Sequence, residues 1–555
     1  MSLISSADRQ QDQTLEATVC IVGAGAAGIA LACELDACGF SVIVLEAGGL
    51  KPEADLIDYY RGTATAPHPD PAEFRRVVFG GTTGLWGGRC VALDPIDFER
   101  RDYVANSGWP ISYDEVAKYY PRAMAYCDAG NFDFTASGSV PAAAPTLAGF
   151  NGNGDVLDDR IERYSLPTDF GKRYRKRIEQ SSNVTVLLSA RCVALAKRAG
   201  GGGIEAAHFV DRAGRRGRVK ASAFVLATGG VEVPRLLMNS DLEGPGLGNR
   251  SDCLGRYYTC HFENVFARLV PNGAAVAFGF ERTAEGVYCR RQMRLSPDAQ
   301  HRDRLLNTAF RLHFPSYSDA SHGSSVMSAI YLAKSTLVPE YRAILDHNNH
   351  SEQAPPSLPH VHNVLTGLPE LTRFVFQWLF QIKLAQRKLP YTLVSNADGS
   401  YPLEFNSEQT PLPSNRVTLT QDADRHGLKR VHIAWSVSDS DVQAAARAFL
   451  LLRDTVRRGS VCRLEFDERQ LPAHLSRSWP LGGHHIGTAR MSATAREGVV
   501  DSNCAVFDLP NLFIASSAVF VTSGHANPTL TLVALALRLA EHLKGRLGPV
   551  IAQTI

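Results

Sequence analysis

Residues 19–49 read VCIVGAGAAGIALACELDACGFSVIVLEAGG, and this stretch decides the fold of the chain. An apolar run reaches Gly23, a helical pattern follows to about Ala37, and a second apolar run, 41–45, ends on Glu46. The pattern predicts a strand, a tight turn, a helix and a second strand, which is the unit that binds dinucleotides in parallel sheets.

The three glycines of GAGAAG have separate tasks in such a unit. Gly23 makes the turn, Gly25 lets the backbone approach a pyrophosphate, and Gly28 lets the helix pack close to the strand. Free N–H groups at the start of the helix attract the phosphates. Glu46 is placed to accept hydrogen bonds from a ribose and disfavours a 2′-phosphate. A merely structural glycine-rich turn is the alternative interpretation.

The composition excludes several classes of function. Lys and Arg number 58 against 56 for Asp and Glu, so the net charge offers no field that attracts nucleic acid. The 11 cysteines are scattered without a CxxC pair, which favours reduced thiols and no metal centre. We therefore expect a cytoplasmic protein without a metal site.

The sequence predicts neither a signal peptide nor a transmembrane helix. Residues 1–15 are polar and lack the apolar segment of a signal peptide, so we predict a loose tail. No apolar run is long enough to span a membrane. The nearest candidate, 374–384 (FVFQWLFQIKL), predicts a buried or interface helix, with a helix lying on a membrane or on a partner subunit as the alternative.

Two further glycine-rich segments follow the first unit. Residues 77–89, VVFGGTTGLWGGR, indicate backbone packed against a flat group, and a flavin ring is the best candidate. Residues 223–230, AFVLATGG, predict a return of the chain to the parallel sheet before a second helix.

The region from about 255 to 470 changes character. Its β-like segments, among them 265–270 and 325–332, predict an antiparallel substrate domain. Residues 346–360 predict either a substrate lid or a plain surface linker.

Two motifs near the C-terminus contain the candidate catalytic side chains. One is LGGHHIGTARM at 481–491, and the other is SGHANPT at 523–529, which opens the last helix. A sheet that the chain leaves and re-enters can bring both motifs to the carboxyl ends of its strands, beside the first glycine turn.

These motifs together resemble the glucose–methanol–choline (GMC) oxidoreductase family. The resemblance covers GAGAAG with Glu46, FGGTTGLWGG, FVLATGGVEVPRLLMNS, LGRYYTCH, HHIGTARM and the block from Val499 to Leu543. Within the family the chain is most similar to bacterial sugar dehydrogenases and pyranose oxidases. The resemblance implies FAD, an α/β fold with a Rossmann-like FAD domain and a discontinuous α+β substrate domain, and oxidation of an alcohol by hydride transfer to the flavin.

The resemblance also implies domain limits and site residues. The FAD domain is expected at 16–110, 180–260 and 480–555, and the substrate domain at 111–179 and 261–479. His484 matches the histidine of the family motif H-x-x-G-T, and Asn527 matches its second catalytic position, so both are expected to be catalytic. The residues expected to bind FAD are Gly23, Gly25, Ala26, Gly28, Glu46, Gly80, Gly81, Thr82, Trp86, Gly87, Val193, Thr228, Gly229, Ser517, Asn527, Pro528 and Thr529.

Two departures from the family pattern matter. Leu85 stands where some members attach the flavin through a histidine, so non-covalent FAD is expected. The iron–sulfur cysteine cluster of some sugar dehydrogenases is missing from the sequence, which leaves oxygen, a quinone or a redox protein as electron acceptor.

The chemistry needs a base at the alcohol oxygen, and a neutral imidazole is suited to that task. We therefore expect His484 to be the base and a sugar, glycoside or cyclic polyol to be the substrate. The protein could form a homo-oligomer. The rival hypotheses are a redox-neutral flavin-containing lyase, a flavin-holding subunit of a membrane complex and a plain NAD dehydrogenase.

Overall fold

A computed structural model of the protein describes residues 3–5, 12–141, 143–333, 357–391, 393–480 and 483–548. Most of the predicted lid or linker, 346–360, lies outside the described residues, because these resume only at 357.

The nucleotide sheet has nine strands, of which six form a parallel core. Along the sheet, the strands are Leu3–Ser5, Val184–Leu188, Val42–Leu45, Gln13–Val22, Arg216–Leu226, Leu509–Ile514 and Ala505–Val506, and Arg191–Lys197 and Ile204–Val210 extend the sheet beside Arg216–Leu226. Because its central strands are covered on both faces, they consist of apolar runs rather than alternating patterns.

The substrate sheet has nine antiparallel strands and a separate core. Along the sheet, the strands are Cys462–Glu465, Phe262–Pro271, Tyr401–Ser407, Thr308–Leu312, Tyr288–Leu295, Val156–Tyr164 and Arg89–Cys90, with Phe280–Arg282 and Trp479–Pro480 at its borders. A small third sheet combines the hairpin Arg416–Ala423 and Lys429–Ala434 with Thr63–Ala64.

Helices cover both large sheets. The α-helices are Ala26–Asp36, Pro95–Phe98, Tyr113–Ala117, Tyr120–Tyr126, Ala136–Ser139, Phe170–Glu179, Glu232–Asn239, Pro297–Asp303, Ser325–Leu332, Ser357–Thr366, Leu368–Gln377, Asp439–Gly459, Leu471–Ser476 and Pro528–Leu547. Short 3₁₀-helices occur at Ala54–Tyr60, Gly81–Gly84, Ala320–His322 and Ser517–Val519, and Trp378–Lys383 is a π-helix.

The structure corrects the predicted tail and domain limits. Leu3–Ser5 pairs with Val184–Leu188, and the first long strand already begins at Gln13, so residues 1–15 are not a loose tail as a whole. Within 111–179, the segments Tyr113–Tyr126 and Phe170–Glu179 belong to the core of the nucleotide sheet, because their aromatic side chains pack there. The substrate sheet, in turn, takes Arg89–Cys90 from the predicted FAD domain.

One element prediction in the middle of the chain is wrong, and one reading of a second is excluded. Residues 325–332 form a helix, because the Ser324 side chain caps it and the Glu370 carboxylate accepts from the Ser325 N–H. The helix predicted at 374–384 is present, but Phe376 and Phe380 are both 59 % exposed, so it is not buried, and its role as an interface or surface helix stays a prediction. Across the described ranges, no helix is both long and apolar enough to cross a bilayer.

Candidate active site

The three glycines of the first turn differ in their surroundings. Gly23 has φ +100°, and a Cβ on it would lie 2.7 Å from the Ala227 carbonyl oxygen. A Cβ on Gly28 would lie 2.0 Å from the Gly23 carbonyl oxygen, so only glycine lets the helix approach this closely. A Cβ on Gly25 would meet nothing within 4 Å, so this position faces the open side of the turn.

The second glycine block lies on the first turn. The Gly80 N–H donates to the Ala24 carbonyl oxygen at 2.8 Å, and a Cβ on Gly81 would lie 3.1 Å from the Gly25 Cα. The later part of the block is bound to a distant loop, because the Trp86 indole N–H donates to the Thr168 carbonyl oxygen. Thr82 and Gly87 are exposed.

Glu46 is buried behind the turn and binds its backbone. Its two carboxylate oxygens accept from the Ala24 and Gly48 N–H groups, each at 2.8 Å. Burial raises the pKa of Glu46 to about 7, against the lowering effect of these two hydrogen bonds. The structure thus gives Glu46 a role in shaping the turn, while the predicted ribose contact stays a prediction.

We expect Glu46→Gln to weaken FAD binding, because an amide NH2 would face a backbone N–H and distort the turn. The expected loss is about 1.5–3 kcal/mol, the range for a hydrogen bond to a charged group. Titration of the apoprotein with FAD measures it, with Glu16→Gln, exposed on the strand that leads to the turn, as the matched control. Equal dissociation constants for the two variants would contradict the prediction.

Other predicted cofactor residues lie at the ends of neighbouring elements. Thr228 follows strand Arg216–Leu226, and its buried Oγ1 has no hydrogen-bond partner among the described residues. A Cβ on Gly229 would meet nothing within 4 Å. Val193 sits where the pairing of its strand with Ile204–Val210 shifts register. These open glycine positions and the orphaned hydroxyl fit a bound dinucleotide.

The HHIGT loop, residues 484–488, packs on Gly230, which follows strand Arg216–Leu226. A Cβ on Gly230 would lie 2.1 Å from the His485 carbonyl oxygen, and the Thr488 hydroxyl donates to the Gly230 carbonyl oxygen at 2.5 Å. The Ser517 hydroxyl donates to the same His485 carbonyl oxygen. Ile486 exchanges backbone hydrogen bonds with Thr259, which ties the loop to the segment that enters the substrate sheet.

His484 and Asn527 are brought together at the start of the last helix. The Asn527 Nδ2 lies 3.0 Å from the His484 Nε2, and the Asn527 Oδ1 is buried without a partner among the described residues. Pro528 is the first residue of that helix and Thr529 the second. The helix packs against the first helix, Ala26–Asp36, which begins at the glycine turn.

His485 points to a different group of residues. Its Nδ1 lies 2.7 Å from the Tyr258 hydroxyl, which is also 2.8 Å from the His68 Nε2 and 3.1 Å from the Cys260 Sγ. His68, Cys260 and His485 lie close enough to ligate a metal. Burial raises the pKa of the Cys260 thiol to about 12, so the thiol is protonated, and the Tyr258 hydroxyl occupies the centre of the group. We interpret the group as a hydrogen-bond hub.

His525, two residues before Asn527, is buried. It is 2 % exposed, its Nε2 lies 3.5 Å from an Asp94 carboxylate oxygen, and its backbone carbonyl accepts from the Asn406 side chain. Burial and then the Arg294 charge hold the pKa of His525 well below its usual range.

A buried network of charges on the substrate sheet borders His484. Arg311 binds both carboxylate oxygens of Glu404, at 3.1 and 2.8 Å, and Glu162 at 3.0 Å, and Arg89 lies 3.4 Å from Glu162. Burial first, and then His261 and Arg89, hold the pKa of His484 well below its usual range, so the imidazole is neutral and can accept a proton.

The sequence prediction missed His261, although it lies in the quoted motif LGRYYTCH. Its Nδ1 is 2.8 Å from the His484 Nδ1, and the two rings are perpendicular. The motif contained the histidine, but nothing in its spacing indicated a contact with residue 484.

Comparison with known proteins finds similar chains. Residues 411–536 match the family model described as GMC oxidoreductase. The chain is 24 % identical to the fructose dehydrogenase large subunit of Gluconobacter japonicus, over 96 % of this chain and 98 % of that protein. It is 24 % identical to 2-methyl-1,2-propanediol dehydrogenase of Mycolicibacterium austroafricanum, over 98 % of this chain and 97 % of that protein.

A solved structure shares the fold. Pyridoxine 4-oxidase from Mesorbium loti superposes with a TM-score of 0.52 at 17 % identity, over 96 % of this chain and 99 % of that one. At this identity the likeness concerns the fold alone.

Proposed function

The chain belongs to the glucose–methanol–choline oxidoreductase family, and from this premise we propose that His484 is the general base of an FAD-dependent alcohol oxidation. The protein is an FAD-dependent alcohol oxidoreductase. The observation that carries the proposal is the pair of His484 Nε2 and Asn527 Nδ2, 3.0 Å apart at the start of the last helix.

The two side chains suit the two needs of an alcohol that loses hydride. The His484 Nε2 takes the hydroxyl proton as the C–H bond breaks, because the partly exposed ring is neutral. The Asn527 amide N–H donates to the same oxygen and does not compete for the proton. FAD, when bound, supplies the redox chemistry by accepting the hydride.

The glycine turn, Glu46 and the open positions at Gly25 and Gly229 would hold the cofactor. The charged network around Arg311 supplies fixed donors and acceptors next to His484. Such groups suit a substrate with several hydroxyls, so we favour a sugar, a glycoside or a cyclic polyol. The named substrate of one relative, fructose, supports this class.

The test is a panel of sugars, glycosides, cyclic polyols and simple alcohols, scored anaerobically by bleaching of the flavin absorbance. Bleaching by a polyol supports the proposal, and cleavage of an adduct without bleaching would indicate a lyase. Reoxidation by oxygen, a quinone or a dye then identifies the electron acceptor.

We expect the FAD to be bound non-covalently. Leu85, which ends the turn Gly81–Gly84, has a hydrocarbon side chain that cannot form a bond to the flavin. Acid precipitation should therefore release all the flavin into the supernatant, as measured by absorbance. A yellow pellet would contradict this expectation.

A further inference from the structure

Four groups form a continuous chain of hydrogen bonds that ends at the candidate base. The His261 Nε2 lies 3.4 Å from the Ser523 carbonyl oxygen, the His261 Nδ1 lies 2.8 Å from the His484 Nδ1, and the His484 Nε2 lies 3.0 Å from the Asn527 Nδ2. His261 has no exposed surface and immediately precedes strand Phe262–Pro271 of the substrate sheet. This series of hydrogen bonds therefore crosses the junction between the two large sheets.

One end of this chain determines the position of every proton in it. A backbone carbonyl only accepts, so the His261 Nε2 carries a proton and donates it to Ser523. Burial lowers the pKa of His261 to about 3, so the ring is neutral and its Nδ1 has a lone pair.

The same reasoning passes to the next ring. An N···N contact of 2.8 Å needs one donor and one acceptor, so the His484 Nδ1 carries the proton that His261 accepts. Since His484 is neutral, its Nε2 is the lone-pair nitrogen. That nitrogen faces Asn527, whose amide must then present its NH2 group, as the structure has it.

We propose that His261 is a positioning residue that holds His484 in the Nδ1–H tautomer, with the basic Nε2 aimed at the substrate hydroxyl. The inference rests on the proposed function, in which His484 is the base. In a neutral imidazole the partner of one nitrogen decides which nitrogen is protonated. Without an acceptor at Nδ1, His484 would also populate the Nε2–H form, which has no lone pair for the alcohol proton.

The proton balance of the step is simple. The alcohol O–H bond breaks, its proton forms a bond to the His484 Nε2, and His484 becomes a cation. The C–H electron pair leaves as hydride, for which FAD would be the acceptor, and the O–H electron pair forms the C=O bond of the product. His261 does not move a proton, because the Ser523 carbonyl at its far side cannot receive one. The His261 Nδ1 continues to accept the hydrogen bond from the Nδ1–H of the His484 cation, and this hydrogen bond stabilises the cation.

Two amide substitutions separate the acceptor function of His261 from its packing. In His261→Asn the Oδ1 stands near the original Nδ1 and can accept from His484. In His261→Gln the amide reaches the original Nε2 and can donate to Ser523, but nothing accepts from His484. Both side chains are polar and close in volume, so the pair controls for burial.

The first measurement is the anaerobic rate of flavin reduction at saturating alcohol, followed over pH. We expect His261→Gln to be roughly 10- to 100-fold slower than the wild type, less than the loss when a protease base adopts the wrong tautomer. His261→Asn should stay within about threefold of the wild type, and FAD affinity and KM should change little in both. The loss should persist on the high-pH plateau, since a tautomer defect, unlike a raised pKa, is not rescued by deprotonation.

The second measurement determines the tautomer of His484 in the absence of the reaction. In ¹⁵N spectra of protein labelled at histidine, the signals that disappear in His484→Ala belong to His484. Wild type and His261→Asn should have a protonated Nδ1 and an unprotonated Nε2, and His261→Gln should have a mixed pattern. A protonated Nε2 in the wild type, or equal rates for the Gln and Asn variants, would overturn the inference.

The same data separate this inference from the proposed function. If His484→Ala reduces flavin as fast as the wild type, His484 is not the base, whatever the ¹⁵N spectra show. If His484→Ala is slow but His261→Gln is not, the base is right and the role of His261 is wrong.

Discussion

Replacing His484 with alanine is expected to leave FAD bound and to slow flavin reduction by the alcohol roughly 100- to 10,000-fold, the span for a general base. The Nε2 of His484 is the accessible basic atom beside Asn527, whereas the other nearby histidines are engaged elsewhere. FAD should remain because the glycine turn and Glu46 do not depend on this side chain.

The companion variants test the geometry. Asn527→Ala should lose less than His484→Ala, because it removes a donor and leaves the base. His485→Ala should lose least, because its ring is hydrogen-bonded to Tyr258 and points away from Asn527. Stopped-flow reduction of the three holoproteins ranks them, with flavin absorbance as the check on cofactor content. If His485→Ala were slowest, the base would be assigned to the wrong histidine.

The second large effect is expected from acid. Among the histidines whose pKa is lowered by burial, six have the largest shifts: to about 4 in His68 and His313, to about 3 in His261, and well below the usual range in His484, His485 and His525. In the unfolded chain each takes up a proton near pH 6.5. The stability that they contribute is therefore complete above pH 6.5 and is lost as the pH falls.

Four buried acids act in the opposite sense. Burial raises the pKa of Glu46, Asp97 and Glu263 to about 7 and that of Asp441 to about 6. Their ionisation in the folded protein costs free energy at neutral pH, and this cost disappears as the pH falls from 7 toward their unfolded values near 4. Each of the first three acids regains about 2 kcal/mol by pH 5, close to what one buried histidine loses, at 1.4 kcal/mol per pH unit.

The histidines outnumber the acids, so we expect the free energy of unfolding to be smaller at pH 5 than at pH 7 by several kcal/mol. Urea denaturation of the holoprotein at pH 7, 6 and 5 measures the difference. His68→Gln, which keeps a hydrogen-bonding side chain but does not titrate, should reduce the pH slope by about one proton. Equal or higher stability at pH 5 would contradict the prediction.

The sequence by itself determined the nucleotide unit. The spacing of Gly23, Gly25 and Gly28 between apolar runs is a local pattern, and it predicted the strand, turn and helix that the structure has at Gln13–Val22 and Ala26–Asp36. The motif around His484 and the start of the last helix at Asn527 were also readable, since both are short and contiguous.

Only the tertiary structure decided what these side chains contact. His261 lies 223 residues before His484 in the sequence. Their 2.8 Å contact arises because the substrate sheet packs against the HHIGT loop, which lies on Gly230. Helices at Tyr113–Tyr126 join the nucleotide core because of their aromatic packing, which no local pattern indicates. The neutral state of His484 likewise depends on burial and on neighbours such as Arg89, because desolvation is a property of the folded protein and not of a motif.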